Sequence, residues 1–137
     1  MGLILDSSLL IAGERRGQRV WDILERVRAA RGETESALSV LTVVELTHGI
    51  FRARSEADAR RRRAFVEELC GAIPVQPVTL EMARVAGRIE GEQAAKGIVI
   101  ALPDLLIGVT ALHLGFAVAT SNPRHFQLIP GLSVIQL

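Results

Sequence analysis

Three acidic residues, Asp6, Glu45 and Asp104, each stand where an apolar strand-like run or a loop gives way to a predicted helix. In a parallel α/β fold such junctions collect at the sheet edge where the strands end, so we expect the three side chains to lie close together. Neighbouring carboxylates raise each other's pKa values, and a hard cation such as Mg²⁺ or Mn²⁺ relieves their repulsion. Water acidified by such a cation can attack a phosphodiester. The spacing therefore favours a metal-dependent hydrolytic site.

Each of these acids also has a purely structural interpretation. Asp6 could cap the short helix that follows it. Thr42 and Glu45 have the spacing of a capping box, in which the threonine caps a helix and the glutamate bonds back to the capping residue. Asp104 opens a helix, where the helix dipole favours an acid. These explanations stay open for each residue alone, and the recurrence of an acid at every junction is what favours function.

Apolar runs alternate with helical stripes along the chain, which predicts an α/β fold with a parallel sheet covered by helices on both faces. No repeat or long linker interrupts this pattern, so we expect a single domain over residues 1–137. The predicted strands are residues 3–5, 37–41, 75–76, 116–119 and 133–136. The predicted helices are residues 7–12, 20–30, 42–54, 56–70, 80–95 and 103–114, and residues 120–123 are predicted to form a turn.

The composition is that of a cytoplasmic globular protein. Hydrophobic residues make up 49% of the 137 residues, which argues against disorder. No apolar run approaches the ~20 residues that span a bilayer, and the first residues lack the basic region of a signal peptide. A single cysteine, Cys70, excludes an internal disulfide, and we expect it to pack as a small apolar residue in a reducing compartment.

The basic residues are fifteen arginines and one lysine, with a net charge of only +1. Arginine suits bidentate contacts to phosphate, although a GC-rich genome would produce the same bias. Four arginines are consecutive at 60–63, and because they lie on a predicted helix they point around it. Glu56 and Asp58 lie four residues before Arg60 and Arg62, so we interpret this segment as a solvated helix with internal ion pairs.

Four segments carry polar residues in a characteristic order. They are residues 3–8 (LILDSS), 39–46 (SVLTVVEL) with Gly49, 103–108 (PDLLIG), and 119–122 (ATSN) with Phe126. Together they resemble the PIN-domain ribonucleases, and more narrowly the VapC toxins of bacterial toxin–antitoxin pairs. The ordered set covers essentially the whole chain.

The resemblance implies a PIN-like three-layer α/β/α sandwich with a central, mainly parallel sheet. It implies that Asp6, Glu45 and Asp104 are catalytic and hold Mg²⁺ or Mn²⁺, and that Ser8 and Thr120 orient the acids. It also implies an endoribonuclease that cleaves single-stranded RNA, forms a homodimer, and is silenced by a cognate VapB-like antitoxin whose C-terminal segment enters a groove of the toxin.

The chain departs from the family pattern near its last motif. Many PIN domains carry a fourth acid there, and the corresponding residues in this sequence are Asn122 and His125. Asn122 can accept a hydrogen bond from a metal-bound water but brings no charge. His125 could contact phosphate or bind a metal. Arg124, between them, is a better candidate for phosphate contact than the four arginines at 60–63, and we expect Arg124 and His125 to bind RNA.

Two other classes of function are compatible with the residues. A metal-free ribonuclease would need histidines as acid and base, and the chain has His48, His113 and His125. A non-catalytic protein- or RNA-binding PIN-like module would use its acids only as helix caps.

An apolar stripe on two predicted helices is a candidate for the groove that binds the antitoxin, and ordinary core packing is the alternative. The residues of this stripe are Leu46, Ile50, Phe51, Phe65 and Leu69.

Overall fold

A central strand, Leu3–Leu5 (β1), organises the sheet in the computed structural model, which describes residues 1–137. The other strands are β2 (Ser36–Ser39), β3 (Val75–Gln76), β4 (Ala117–Thr120) and β5 (Val134–Gln136). Their order in the sheet is β3-β2-β1-β4-β5, and all four pairings are parallel. Ile4 fixes the register at the centre, because it pairs with Ala37 on one side and with Val118 on the other.

Seven helices connect and cover these strands. They are α1 (Ser7–Arg15), α2 (Val20–Arg31), α3 (Val40–Phe51), α4 (Glu56–Ala72), α5 (Leu80–Ala94), α6 (Leu102–Leu114) and α7 (Pro123–Phe126). The first four pack on one face of the sheet and the last three on the other. This arrangement confirms the predicted three-layer α/β/α sandwich with a parallel sheet.

The strands divide their side chains between two separate cores, as the two-residue period of a strand requires. Leu3 and Leu5 pack with α1 to α4 in one core of 16 buried residues. Ile4 and Val118 point to the opposite face and join a core of 13 buried residues with α5, α6 and α7. A short strand that is fully buried on both faces explains why the segment Leu3–Leu5 is uniformly apolar.

The parallel arrangement places the carboxyl ends of β1, β2 and β4 at one edge of the sheet. The amide of Asp6 donates to the carbonyl of Ala119 at 2.9 Å, which fixes the β1–α1 junction against the end of β4. Thr120 is the last residue of β4, and Ser39 is the last residue of β2. The polar residues at these three ends therefore share one edge, as the sequence predicted.

Helix α3 begins earlier than the sequence predicted. The Oγ of Ser39 accepts a hydrogen bond from the amide of Leu41 at 3.1 Å, so Ser39 is the N-cap and the helix starts at Val40. The proposed capping box of Thr42 and Glu45 is therefore wrong. Thr42 lies inside the helix with its hydroxyl buried and unpartnered.

Several surface predictions are also corrected. Cys70 is exposed and does not pack as a core residue. Arg60 pairs with Glu56 at 3.8 Å as predicted, whereas Asp58 pairs with Arg61 at 3.0 Å and not with the arginine one position later. Helix α4 also runs past the glycine predicted to stop it and ends at Ala72.

The apolar stripe proposed as an antitoxin groove belongs mostly to the core. Four of its members are buried, namely Leu46, Ile50, Phe65 and Leu69. Phe51, in contrast, is 80% exposed at the end of α3. Separately, none of the helices is both long enough and apolar enough to span a membrane.

Candidate active site

Asp6 is held at the β1–α1 junction by hydrogen bonds that all converge on one of its oxygens. The carboxylate is only 5% exposed and is the N-cap of α1. Its Oδ2 accepts from Ser8 Oγ at 2.7 Å, from Thr120 Oγ1 at 2.9 Å and from the Ser8 amide at 3.4 Å. The capping interpretation is thus correct for Asp6, yet every hydrogen bond goes to Oδ2. Oδ1 remains available to a ligand.

Thr120 ties the end of β4 to this carboxylate. Its hydroxyl is fully buried, donates to Asp6 Oδ2 and accepts from the Asn122 amide at 3.0 Å. Ser8 Oγ lies 3.0 Å from Thr120 Oγ1 and accepts from the Ser121 amide at 3.2 Å. Ser8 and Thr120 therefore hold the Asp6 carboxylate in place through hydrogen bonds to Oδ2.

Glu45 reaches the same region from the second turn of α3. It is half-buried, and its Oε1 is enclosed without a hydrogen-bond partner. Burial raises the pKa of Glu45, and the negative charges of Asp6 and Asp104 raise it further, while a hydrogen bond from Ser7 offsets part of the effect. A buried carboxylate oxygen without a partner is costly, and native proteins usually satisfy such a group.

Asp104 lies in the first turn of α6, where the helix dipole favours an acid. Burial raises its pKa, as does the charge of Asp6, and the nearby His125 lowers it. Nδ1 of His125 lies 3.2 Å from Asp104 Oδ2, and the two side chains are 59% and 19% exposed. This contact joins α6 to α7 across 21 positions of sequence, and no sequence pattern predicted it.

The three acids line one cleft of about 350 Å³ at the carboxyl edge of the sheet. The other residues that line it are Ser7, Ser8, Ala101, Pro103, Asn122, His125 and Phe126. Arg124 is exposed on α7 beside the cleft and does not line it. His48 and His113 are exposed elsewhere, so two of the three candidate histidines for a metal-free mechanism lie outside the cleft.

The electrostatics of the cleft fit a divalent cation, although the side chains do not form a finished coordination shell. No three of the His, Cys, Asp and Glu side chains are close enough together to hold an ion as they stand. The acids nevertheless share the cleft, Asp6 raises the pKa of both other acids, and Glu45 has an unpartnered buried oxygen. Carboxylate oxygens are the donors that hard divalent ions prefer, so the chemistry of this donor set suits Mg²⁺ or Mn²⁺.

A second depression meets the cleft at Glu45. This groove, of about 90 Å³, lies between α1, α3 and α4. It is lined by Ile11, Glu14, Arg15, Glu45, Leu46, Gly49, Arg62, Phe65 and Val66. Arg62 forms part of its wall and donates to the backbone carbonyl of Gly49 at 2.6 Å.

The PIN domain family model matches residues 3–132, which is nearly the whole chain. The chain belongs to the PIN-domain family. It is 28% identical over 137 residues to the Ribonuclease VapC of Rickettsia bellii, covering 98% of this chain and 96% of that protein. The predicted similarity to VapC proteins is therefore confirmed.

Solved structures with the same fold are toxin–antitoxin complexes. VapBC2 from Rickettsia felis, solved bound to a DNA fragment from its promoter, has a TM-score of 0.83 at 18% identity and covers 100% of this chain and 99% of its own. VapBC-1 from nontypeable Haemophilus influenzae has a TM-score of 0.80 at 25% identity, with coverage of 99% and 98%. The PIN fold extends over the full length of the chain.

Sequence reasoning missed the contribution of Ser7. Ser7 is 7% exposed, lines the cleft beside Glu45 and lowers the pKa of that carboxyl. Ser7 directly follows Asp6, so its position in the motif could have indicated a place in the site. Its proximity to Glu45, however, depends on the packing of α1 against α3. The pairing of Asp104 with His125 had no comparable signal.

Proposed function

We propose that this chain is a cytoplasmic endoribonuclease that uses Mg²⁺ or Mn²⁺ to cleave single-stranded RNA, and that it is the toxin of a VapBC-like pair. The observation that carries the proposal is the position of Glu45. It lies in the second turn of α3, behind the N-cap Ser39, with a buried and unpartnered carboxylate oxygen, and it lines the same cleft as two other acids.

The rival function, a binding module whose acids only cap helices, does not account for Glu45. Asp6 caps α1, and Asp104 lies in the first turn of α6, so both have a structural role without any cation. Glu45 caps nothing, and its charge is disfavoured by burial and by its neighbours. A group that costs stability in the free protein and lies in a cleft is a candidate for function.

The residues present would hold a divalent ion through the carboxylates of Asp6, Glu45 and Asp104. Bound there, such an ion supplies an acidified water and charge neutralisation at the phosphate. Ser8 and Thr120 bond only Oδ2 of Asp6, so Oδ1, which accepts no hydrogen bond from the protein, is left for the ion. The expected products of water attack carry a 5′-phosphate and a 3′-hydroxyl, and the RNA 2′-hydroxyl takes no part.

The RNA backbone is expected to approach along α7. Arg124 and His125 are exposed there, two and three residues after Asn122, which lines the cleft. Aromatic residues make up only 4% of the chain and the single Trp21 lies on α2, so stacking platforms for bases are scarce. Phosphate contacts therefore supply most of the affinity in this proposal, which makes binding sensitive to salt.

Charge-neutral, shape-conserving variants test the enzyme. Asparagine caps a helix as well as aspartate does, so Asp6→Asn keeps the cap of α1 and removes only the charge. We expect Asp6→Asn, Glu45→Gln and Asp104→Asn each to lower the rate of cleavage of a single-stranded RNA at least about 100-fold, and EDTA to abolish it. Arg60→Gln, on the exposed side of α4, is the matched control with unchanged activity.

The opposite results distinguish the rivals. Cleavage that survives EDTA supports a metal-free ribonuclease. Intact RNA under all conditions, together with unchanged stability when Mn²⁺ is added, supports the non-catalytic module. Wild-type activity in Glu45→Gln would refute the role given to the residue on which the proposal depends.

The proposed partner is a VapB-like antitoxin, since the matching structures are VapBC complexes. The groove between α1, α3 and α4 leads to Glu45, so a segment bound in it would block the cleft. Phe51 lies at the end of α3, outside the lining of this groove, and its apolar side chain is 80% exposed. We expect Phe51→Asp to weaken co-purification with the product of the neighbouring gene, and Val99→Asp, at an 84% exposed position between α5 and α6, to leave it unchanged.

The proposed homodimer is tested separately by light scattering on the purified chain. Twice the mass of the 14.8 kDa chain is the expected result. A monomer at micromolar concentration would remove the dimer from the proposal without affecting the enzyme.

A further inference from the structure

The cleft contains one nitrogen donor in an otherwise all-oxygen set of candidate ligands. His125 lines it together with Asp6, Glu45 and Asp104. The family resemblance implies a fourth acid in this region, and this chain has Asn122 and His125 there. Its position raises the question of whether it is a surface ion-pair partner of Asp104 or part of the cation site.

His125 is held in place on both sides. Its helix, α7, begins with Pro123, and the amide of Asn122 before it donates to Thr120 Oγ1. Phe126, the next residue, is 1% exposed and packs in the core beneath the sheet. The turn that carries the imidazole is therefore fixed by the buried Phe126 and by Thr120, which also hydrogen-bonds Asp6.

The spacing of His125 and Asp104 fits two ligands of one ion as well as it fits a hydrogen bond. Two donors bound at adjacent positions of an octahedral ion, each about 2.1 Å from it, are roughly 3 Å apart. Nδ1 of His125 is 3.2 Å from Asp104 Oδ2. A surface ion pair would stabilise the protein little, because His125 is 59% exposed and the imidazole is charged only when protonated.

We propose that His125 is a fourth protein ligand of the cation, bound through Nδ1, and that it shifts the preference of the site from Mg²⁺ toward divalent ions that bind imidazole. The proposal rests on the metal site of the proposed function. Imidazole is a good ligand for Fe²⁺, Co²⁺, Ni²⁺ and Zn²⁺, whereas Mg²⁺ prefers oxygen donors. A site with three carboxylates and one imidazole therefore favours the first group more than a site with four acids does.

The test compares affinities for Co²⁺ and Mg²⁺ by titration calorimetry of the metal-free full chain. We expect His125→Asn to weaken Co²⁺ binding roughly tenfold or more and to change Mg²⁺ binding less than about threefold. His125→Asp, which restores an acid, is expected to strengthen Mg²⁺ relative to Co²⁺. The matched control is His113→Asn, because His113 is exposed at the end of α6, outside the cleft.

Pulsed electron paramagnetic resonance of bound Mn²⁺ reports the ligand directly. Coupling to a coordinated imidazole nitrogen is expected in the wild type and in His113→Asn, and its loss is expected in His125→Asn. Mn²⁺ that binds without nitrogen coupling, or an equal Co²⁺-to-Mg²⁺ affinity ratio in the wild type and His125→Asn, overturns the role of His125 and leaves the carboxylate site standing. Binding that is absent in the wild type, or unchanged in Asp6→Asn, overturns the proposed metal site itself.

Discussion

Replacing Thr120 by valine isolates the hydrogen bonds that orient Asp6. Valine has the shape of threonine, so the substitution removes a hydroxyl without opening a cavity. The buried hydroxyl of Thr120 donates to Asp6 Oδ2 at 2.9 Å and accepts from the Asn122 amide at 3.0 Å. A hydrogen bond to a charged group contributes about 1.5–3 kcal/mol, and the amide left without its acceptor adds roughly 1 kcal/mol.

We therefore expect Thr120→Val to lower the free energy of unfolding by about 2–4 kcal/mol, while Ser8 still donates to Asp6. In a chain of this length the melting temperature should fall by roughly 6–15 °C. Thr120→Ser is the control, because it keeps the hydroxyl and loses only a methyl group, at a cost of about 1 kcal/mol.

Urea denaturation of the metal-free protein measures both variants, with equal m-values required for the comparison. RNA cleavage should fall in Thr120→Val and survive in Thr120→Ser, since only the first frees the Asp6 carboxylate to rotate. Equal stabilities for the two variants, within about 0.5 kcal/mol, would show that the hydroxyl does not hold the carboxylate and would refute this reasoning.

Two further substitutions test the charges around the site. The pKa of Glu45 is raised in the folded state, so the native protein binds this proton more tightly than the unfolded chain does. Protonation of Glu45 therefore stabilises the fold at low pH, and this stabilisation is lost as pH rises from the ordinary carboxyl range through the raised pKa. In EDTA, Glu45→Gln should be more stable than the wild type at neutral pH and should fall less over that range; parallel urea midpoints from pH 4 to 8 would contradict this. Arg62→Met should lower the free energy of unfolding by about 1–2 kcal/mol, because Arg62 donates at 2.6 Å to a backbone carbonyl of α3. Arg60→Met removes only an exposed ion pair, so it should change the free energy of unfolding by less than about 0.5 kcal/mol. Equal thermal midpoints for the two arginine variants would argue against that role for Arg62.

The fold class was predictable because its signals are local. Uniformly apolar runs of three or four residues alternate with helical stripes, and that alternation produces a parallel sheet covered on both faces. The pattern of β1, with Leu3 and Leu5 on one face and Ile4 on the other, follows from the strand period alone. Asp6 and Glu45 come after β1 and β2, so their place at one edge followed from where those strands end, whereas Asp104 lies on a helix that follows no strand.

The start of α3 was not predictable, because the sequence offers two suitable N-caps. Ser39 and Thr42 can both cap a helix. The choice depends on where β2 ends, and Ser39 is its last residue, paired with Gln76 of β3. Pairing between strands thus decided that Glu45 lies in the second turn of the helix and does not act as a cap.

Contacts between helices were also beyond the sequence pattern. The i,i+4 rule finds partners only within one helix, so it assigned Arg62 to Asp58 and missed the carbonyl of Gly49 on α3. The approach of His125 to Asp104 depends on how α7 packs against α6, which neither helix encodes alone. Apolar periodicity likewise cannot separate a buried residue such as Leu46 from the exposed Phe51 at the end of the same helix.

A crystal structure of the full chain grown with Mn²⁺ tests the central claim most directly, because anomalous scattering locates the ion independently of any assay. We predict an anomalous peak in the cleft, within coordination distance of the carboxylates of Asp6, Glu45 and Asp104, and its disappearance in crystals of Asp6→Asn. A wild-type crystal with those three carboxylates ordered and no Mn²⁺ among them, from protein that cleaves RNA in the same buffer, would contradict the account.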